Sequence, residues 1–138
     1  FGEGWEKYSC GDEHSLRREP AVPFALSFER IAKAHVLLNV SPIFNRGMHD
    51  RVPAGMANHA VVLTDENPYL RRTFTDGKEL LFYSLEKPDT LCEQAERTLT
   101  DVRLREKIAA SAYETFEREY TWKRRAEQIL AFAEEVEA

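Results

Sequence analysis

The sequence predicts an α/β domain in which a mainly parallel sheet is covered by helices on both faces and is followed by a helical C-terminus. Short apolar runs of strand length alternate with helical segments between about residues 25 and 99. Long segments with helical spacing of apolar residues fill the rest, and 138 residues suit one domain. Alternating strands and helices favour right-handed crossovers, so the sheet is predicted to be Rossmann-like.

Three apolar runs predict the strands: residues 35–40 (HVLLNV), 60–64 (AVVLT) and 79–83 (ELLFY). Their nearly continuous apolar character is typical of strands covered on both faces. Helices are predicted over residues 25–34, 50–58 and 67–74. Asp50 is the predicted N-cap of the second helix, Pro53 is tolerated in its first turn, and Asp76-Gly77 predicts a turn.

The C-terminal third predicts three amphipathic helices, over residues 89–99, 102–118 and 122–136, with Thr121 as N-cap of the last. Each carries an apolar stripe and is expected to pack on the sheet. The stripes are Leu91, Ala95 and Leu99; Leu104, Ile108, Ala112 and Phe116; and Trp122, Ala126, Ile129, Leu130, Ala133 and Val136. Residues 1–138 are therefore predicted as one domain: a strand tail and loop (1–23), the alternating core (24–99) and the C-terminal helices (100–138).

Composition argues against several classes of function. With 19 basic and 24 acidic residues, the formal net charge is −5, which disfavours binding to nucleic acids or anionic membranes. No apolar run approaches the roughly 20 residues that span a bilayer, and the first residues do not resemble a signal peptide. Cys10 and Cys92 are far apart and not in a CxxC spacing, which predicts two free thiols and a cytoplasmic location.

The segment most informative about function runs from residue 39 to residue 67, because ligands of open α/β sheets bind at the carboxyl ends of the strands. The loop Asn45-Arg46-Gly47-Met48-His49 precedes a predicted helix N-terminus, where N–H groups and the helix dipole favour an anion. Arg46 and Arg51 supply positive charge, and Gly47 permits close approach of the backbone, which suits a phosphate or diphosphate. The alternative is a helix capped by Asp50 with solvated or paired arginines.

Histidines and acids near this loop offer further chemistry. His49 lies at the predicted mouth of the crevice. There it would act as an acid or base, or as a hydrogen-bond donor; the alternative is that it is only a polar loop residue. His59 belongs to the packed stripe or last turn of the helix and does not face the same way, so no metal site is predicted. Asp65, Glu66 and Asn67 follow a strand, where clustered acids hold a metal, orient a hydroxyl-rich substrate or act as a base; they equally suit capping of the next helix, and the two roles do not exclude each other. No catalytic residue is assigned, because no hydrolase triad, GxGxxG or P-loop is present.

Several segments, taken in order and spacing, resemble the C-terminal lobe of retaining glycosyltransferases with two Rossmann-like lobes (GT-B type). They are LLNVSPIFNRGMHDRV, GMANHAVVLTDENPYL, FTDGKELLFYS, LREKIAASAYE and YTWKRRAEQIL. The similarity covers about residues 2–130 and points to the glycosyl transferases group 1 and CgeB-like branch. It implies that residues 1–5 end the second strand of this lobe.

The resemblance also implies a site and its partners. The lobe would bind a nucleotide-sugar donor as substrate, need no other cofactor, and form a cleft with an acceptor-binding N-terminal lobe outside this chain. The residues implied in the donor site are Asn45, Arg46, Gly47, His49, Arg51, Asp65 and Asn67.

The sequence departs from this family where the donor should be held. Related enzymes carry two glutamates that contact the sugar and the ribose, and the alignment places Arg46 and Ala54 at those positions. A Gly that usually follows the helix aligns with His59. Two functions therefore stay open: the donor-binding lobe of a glycosyltransferase, or a non-catalytic binding or assembly domain that kept the fold. A signalling domain of the receiver type is disfavoured, because the acidic cluster after a first strand is missing.

Overall fold

The structure, a computed structural model, describes residues 20–137, and its elements follow the predicted order. Helices α1 (Phe24–Ile31), α2 (Arg51–Ala57) and α3 (Pro68–Thr73) alternate with strands β1 (Val36–Asn39), β2 (Val61–Asp65) and β3 (Leu81–Tyr83). Helices α4 (Asp89–Thr100), α5 (Val102–Glu119) and α6 (Trp122–Glu137) follow. The predicted α/β class, strands and helices are therefore confirmed. The strand tail predicted at residues 1–5 and the prediction for Cys10 lie outside the described residues.

The strands form a parallel sheet in the order β1-β2-β3, with β2 in the centre. Every residue of β2 is buried, as its apolar run predicts. The prediction that the first run is also covered on both faces is wrong, because Leu38 is 46% exposed. β1 has a strand neighbour on one side only among the described residues, and α4 lies mainly over β3 and β2.

Helices cover both faces of the sheet. Alternate residues of a strand point to opposite faces, so neighbouring residues of β2 join different clusters. On one face, Val62 and Phe82 pack with α2 and α3. On the other face, Val61, Leu63 and Leu81 pack with α4 and α5. The helix α5 contributes to both clusters, and this arrangement leaves the carboxyl ends of the strands at one edge of the domain.

The close approach of α2 to the sheet depends on Gly55. A Cβ atom added at this residue would lie 2.5 Å from Cγ2 of Val62 and 2.9 Å from Cδ2 of Leu37. Both distances are shorter than ordinary van der Waals contact, so a side chain here would push the helix away from β1 and β2. The start of α2 is therefore held at a fixed distance from the strand ends.

The helix α2 ends in a Schellman-type cap built on His59, which has a left-handed φ of 54°. The N–H of His59 donates to the carbonyl of Met56 at 3.3 Å, and the N–H of Ala60 donates to that of Gly55 at 3.0 Å. The His59 ring stacks on Tyr113 with 4.1 Å between centroids. His59 therefore lies just after the end of α2 rather than in its last turn, and its left-handed backbone explains why glycine suits this position.

The predicted stripes of the C-terminal helices hold for α5, where Ile108 and Ala112 are buried. In α4 the prediction for Leu99 is wrong: it is 55% exposed, and Thr98 is buried instead. With about 3.6 residues per turn, the seventh residue rather than the eighth after Leu91 returns to the buried face. The prediction that α6 packs on the sheet is also wrong, because no residue from 122 to 136 is buried and its main contact is with α5.

Two of the three predicted helix caps are confirmed. Asn67 accepts a hydrogen bond from the N–H of Leu70 at 2.8 Å, and Thr121 accepts one from the N–H of Arg124 at 3.3 Å. Asp50 is not a side-chain cap: its backbone is already helical (φ −58°, ψ −21°) and its side chain makes no capping hydrogen bond. Within residues 20–137, no helix has the length and apolar character needed to cross a membrane.

Candidate functional site

The carboxyl ends of the strands carry a group of buried polar residues, which we call the strand-end network: Asn39, Ser41, Thr64, Asp65 and Tyr83. Each of the five is at most 5% exposed. The parallel register places Asn39 beside Thr64 and Asp65 beside Tyr83, and Ser41 follows β1 by two residues. Buried polar groups require hydrogen-bond partners, and these residues supply them to one another.

Hydrogen bonds in this network join all three strands. The side-chain amide of Asn39 donates to the Thr64 hydroxyl at 2.9 Å, and the Tyr83 hydroxyl donates to the main-chain carbonyl of Asn39 at 3.1 Å. The N–H of Ser41 donates to the Asp65 carboxylate at 2.8 Å. The chain that leaves β1 is thereby fixed to the end of β2, which sets the starting point of the loop that follows.

The electrostatics of the network favour a protonated tyrosine. Burial, and next the nearby Asp65 carboxylate, raise the pKa of Tyr83 to about 12, while the Arg51 guanidinium lowers it in part. The Tyr83 hydroxyl therefore stays a hydrogen-bond donor at any physiological pH. Asp65, predicted as a site residue, is 2% exposed and holds the backbone of Ser41, so it shapes the site rather than facing solvent.

Arg51 links α2 to the network. Its Nε donates to the side-chain oxygen of Asn39 at 3.0 Å, and its Nη2 donates to the carbonyl of Val40 at 3.2 Å. The guanidinium, predicted to lie beside a bound phosphate, therefore points toward the end of β1. It places its positive charge at the strand ends and keeps the beginning of α2 next to them.

The loop before α2 presents main-chain donors that have no partner among the described residues. None of the N–H groups from residue 45 to residue 50 donates a hydrogen bond to another described residue. Asn45 and Arg46 are exposed, and Arg46 forms no ion pair within residues 20–137. Apart from Gly47 and its two chain neighbours, no described residue has a heavy atom within 4 Å of the position that a Cβ would take on Gly47. Within residues 20–137, the loop thus combines donors without partners, a positive charge and open space.

The first N–H groups of α2 itself are already occupied. The N–H of Arg51 donates to Nδ1 of His49 at 3.2 Å, and the N–H of Val52 donates to the His49 carbonyl at 3.0 Å. The His49 ring also lies against the carboxylate of Asp50. The expectation of free N–H groups at this helix start is therefore wrong for these two residues. The donors that have no partner in the described part of the chain lie one step earlier, in the loop.

Glu66 and Asn67, which follow β2, have different roles. Asn67 caps α3 and also donates from Nδ2 to the carbonyl of Gly47 at 3.4 Å, which ties the loop to the next helix. Glu66 forms an ion pair with Arg71. The predicted capping role of this segment is confirmed for Asn67, and the predicted site residues Gly47 and Asn67 are brought into contact.

An apolar cavity of about 760 Å³ adjoins the start of α2. Its walls come from α1, α2, the end of α5 and the first half of α6, and they include Met48, Pro53 and Ala54. Ala54 is one of the two positions where the resemblance implies a glutamate, so a mainly apolar wall stands where that carboxylate is expected. Among the described residues, no group of three or more His, Cys, Asp or Glu side chains could hold a metal ion.

Sequence reasoning missed most of the strand-end network. Thr64 and Tyr83 each end a predicted apolar run, and Asn39 is the last residue but one of another; this shared position is the signal that could have identified them. A polar residue at the end of a buried parallel strand lies at the edge where ligands bind. Ser41 carries no such signal, because its role depends on the Asp65 carboxylate reaching its main-chain N–H.

Fold and site together define a Rossmann-like α/β domain with a polar edge at the carboxyl ends of its strands and a donor-rich loop beside it. A family model described as "Glycosyl transferase-like" matches residues 1–131, and the chain belongs to this family. No curated protein matches the chain. The family confirms a glycosyltransferase-type function, the broad class that the resemblance implied.

Proposed function

We propose that this chain is the donor-binding lobe of a two-lobed retaining glycosyltransferase of the CgeB-like branch, and that the loop 45–50 binds the diphosphate of a nucleotide-sugar. The observation that carries this proposal is the run of main-chain N–H groups in that loop without a partner in residues 20–137. Oriented N–H groups of successive residues are a common means of binding phosphate oxygens. The family supplies the reaction class.

The surroundings of the loop support this assignment. Arg46 is exposed and adds a positive charge that can form charge-assisted hydrogen bonds with phosphate oxygens. The loop is held at its start by the bond from the N–H of Phe44 to the carbonyl of Ser41, at 3.0 Å, and at Gly47 by Asn67. A loop fixed in this way loses little conformational freedom when it binds, which improves affinity.

Other residues take different parts in the proposed complex. His49, at the end of the loop, would contact the sugar. Arg51 and Asp65 would act through the strand-end network, since Arg51 holds Asn39 and Asp65 holds Ser41. The acceptor would come from an N-terminal lobe outside this chain, so turnover would require both lobes.

Calorimetric titration of the intact protein with a panel of nucleoside diphosphates tests the proposal. We expect binding of at least one of them, and we expect Arg46→Ala to weaken it about tenfold or more, the usual effect of removing one charge-assisted hydrogen bond. Arg103→Ala is the matched control: it makes the same charge change at an exposed residue in the first turn of α5. No heat change with any nucleotide, or equal effects of the two substitutions, would contradict the proposal.

A second function, a non-catalytic binding or assembly domain, is favoured by the wall around Ala54. This residue lines the apolar cavity instead of presenting a carboxylate to a ribose. In that case nucleotides would not bind and Arg51→Ala would leave the function intact. Trp122→Ala, on the exposed helix α6, would disrupt a partner complex in a pull-down from cells.

A further inference from the structure

The apolar cavity beside α2, which we call the α2 cavity, is also lined by α1, α5 and α6. Its volume of about 760 Å³ lies within the range of about 300–1,000 Å³ that small-molecule sites occupy. Gaps in a packed protein interior are far smaller. The lining begins at Asp50, just before α2, and reaches Asn58, just after it. At 1.5 Å per residue this length of helix is about 12 Å, so the cavity extends along the whole of α2.

The walls of the α2 cavity are largely aliphatic and aromatic. The aromatic side chains belong to Phe24, Phe28, Phe116, Tyr120 and Trp122. Phe24 and Trp122 are 70% and 91% exposed although they line the cavity. Removing such apolar surface from water drives the binding of an apolar ligand. The walls therefore favour an apolar occupant.

Five polar side chains of the wall already have partners. The hydroxyl of Ser27 and the side-chain amide of Asn58 donate to main-chain carbonyls of α1 and α2, at 2.6 and 2.8 Å. Arg51 donates to the strand-end network, and Arg125 donates to a side-chain oxygen of α6 at 2.9 Å. The Asp50 carboxylate contacts the ring of the preceding histidine. Because these groups are engaged, the cavity suits a hydrocarbon better than a sugar or a nucleobase.

The α2 cavity meets the loop 45–50, because Met48 and Asp50 belong to the loop and also line the cavity. We propose that the cavity holds the hydrocarbon chain of a lipid acceptor. A chain matches a cavity that extends along a helix, and its hydroxyl-bearing head group would lie beside the loop, between this lobe and the N-terminal lobe. Ala54, where the resemblance implies a glutamate, would contact the chain. The chain site stands on the cavity alone, whereas the role of acceptor rests on the proposed donor binding.

Calorimetric titration of the intact protein with alkyl maltosides, below their critical micelle concentrations, tests the chain site. Each CH₂ group added from hexyl to decyl should raise the affinity about fourfold, the gain from burying one CH₂ group in apolar surroundings. Maltose alone should give no heat change. Affinity that does not depend on chain length would overturn the proposal.

Substitutions in the wall test whether the chain lies in the α2 cavity. Ala54→Phe fills the cavity at the middle of α2 and should weaken the binding of decyl maltoside about tenfold or more. Ala131→Phe is the matched control, at an exposed residue of α6 about 200° around the helix from Ile129 of the wall, and should leave binding unchanged. Ile129→Glu places a charge in the wall at an exposed residue and should also weaken binding, without filling the space beside α2. Equal effects of the two phenylalanine variants would contradict the site.

Fluorescence quenching locates the chain independently. The sequence contains two tryptophans, Trp5 and Trp122, and Trp122 lines the cavity. In a Trp5→Phe protein, a decyl maltoside brominated along its chain should quench the fluorescence of Trp122 at the concentrations where calorimetry detects binding. Binding without quenching would place the chain elsewhere and overturn the proposal.

Two further titrations test the role of acceptor. Decyl maltoside should bind with unchanged affinity when the protein is saturated with the nucleoside diphosphate that binds most tightly; competition would overturn this role. Decanoate, a fatty acid, should bind no more tightly than decyl maltoside, because Arg51 and Arg125 are engaged and Asp50 is anionic. Tighter binding of decanoate would assign the cavity to a fatty acid. If no nucleotide binds while the chain-length series holds, the donor proposal fails and the chain site stands.

Discussion

Replacing Gly55 with alanine tests whether the close approach of α2 to the sheet is needed for stability. The added Cβ would lie 2.5 Å from Cγ2 of Val62 and 2.9 Å from Cδ2 of Leu37, against roughly 3.5–4.0 Å for a favourable carbon–carbon contact. Val62 is β-branched and fully buried on the central strand, so its side chain is restricted at χ1 and has little room to turn away from the added atom. Either the helix or the strand must move.

The magnitude follows from two opposing effects. Overpacking a core costs about 1–3 kcal/mol, and the contact with a rigid side chain places this substitution in the upper part of that range. Alanine is a better helix former than glycine by about 1 kcal/mol, which offsets part of the cost. We therefore expect Gly55→Ala to lower the free energy of unfolding by about 1–2 kcal/mol.

Urea unfolding followed by circular dichroism provides the measurement. Gly47→Ala is the control, because nothing lies within 4 Å of its added Cβ, and its stability should be close to that of the parent. Val62→Ala removes the contacting methyl group, so the double variant with Gly55→Ala should be less destabilised than the sum of the single variants. A Gly55→Ala protein as stable as the parent would refute the argument.

Two further predictions concern single residues. Burial and the Asp65 carboxylate raise the pKa of Tyr83 from 10.0 to about 12, so the folded state keeps a proton that the unfolded chain releases. This contribution to the free energy of unfolding is complete below pH 10, and about 2–3 kcal/mol of it is lost as the pH rises to 12. Urea unfolding at a series of pH values tests this. The free energy of unfolding of Tyr83→Phe should fall less steeply with rising pH than that of the parent. His59→Gly and His59→Ala both lose the ring stacked on Tyr113, but glycine alone relieves the left-handed backbone. The glycine variant should therefore melt as the more stable of the two, by about 1 kcal/mol, and equal stabilities would contradict the strain at this residue.

Local patterns predicted the elements well where local forces decide them. The run 60–64 (AVVLT) predicts a buried strand because four of its five residues are apolar, and the structure buries all five. Asn67 caps α3 because its side chain reaches an N–H only three residues away. Neither feature needs information from distant parts of the chain.

Side-chain directions in the candidate site were not predictable in this way. The sequence predicted that Arg51 lies beside a bound phosphate. In the structure its guanidinium donates a hydrogen bond to Asn39, twelve residues earlier in the chain. The sequence predicts Asp50 as an N-cap, yet its backbone is helical and its carboxylate contacts the His49 ring. Each of these outcomes depends on which polar group from another element lies within reach.

The sequence by itself determined the α/β class, the order of strands and helices, and the loop to which the proposed function is assigned, because apolar periodicity and turn residues act over a few positions. The tertiary structure alone decided the strand-end network, since the register that sets Asn39 beside Thr64 brings together residues 25 apart. It also decided that α6 is exposed. An apolar stripe shows which face of a helix avoids water, but only the packed fold shows whether anything in the described chain covers that face.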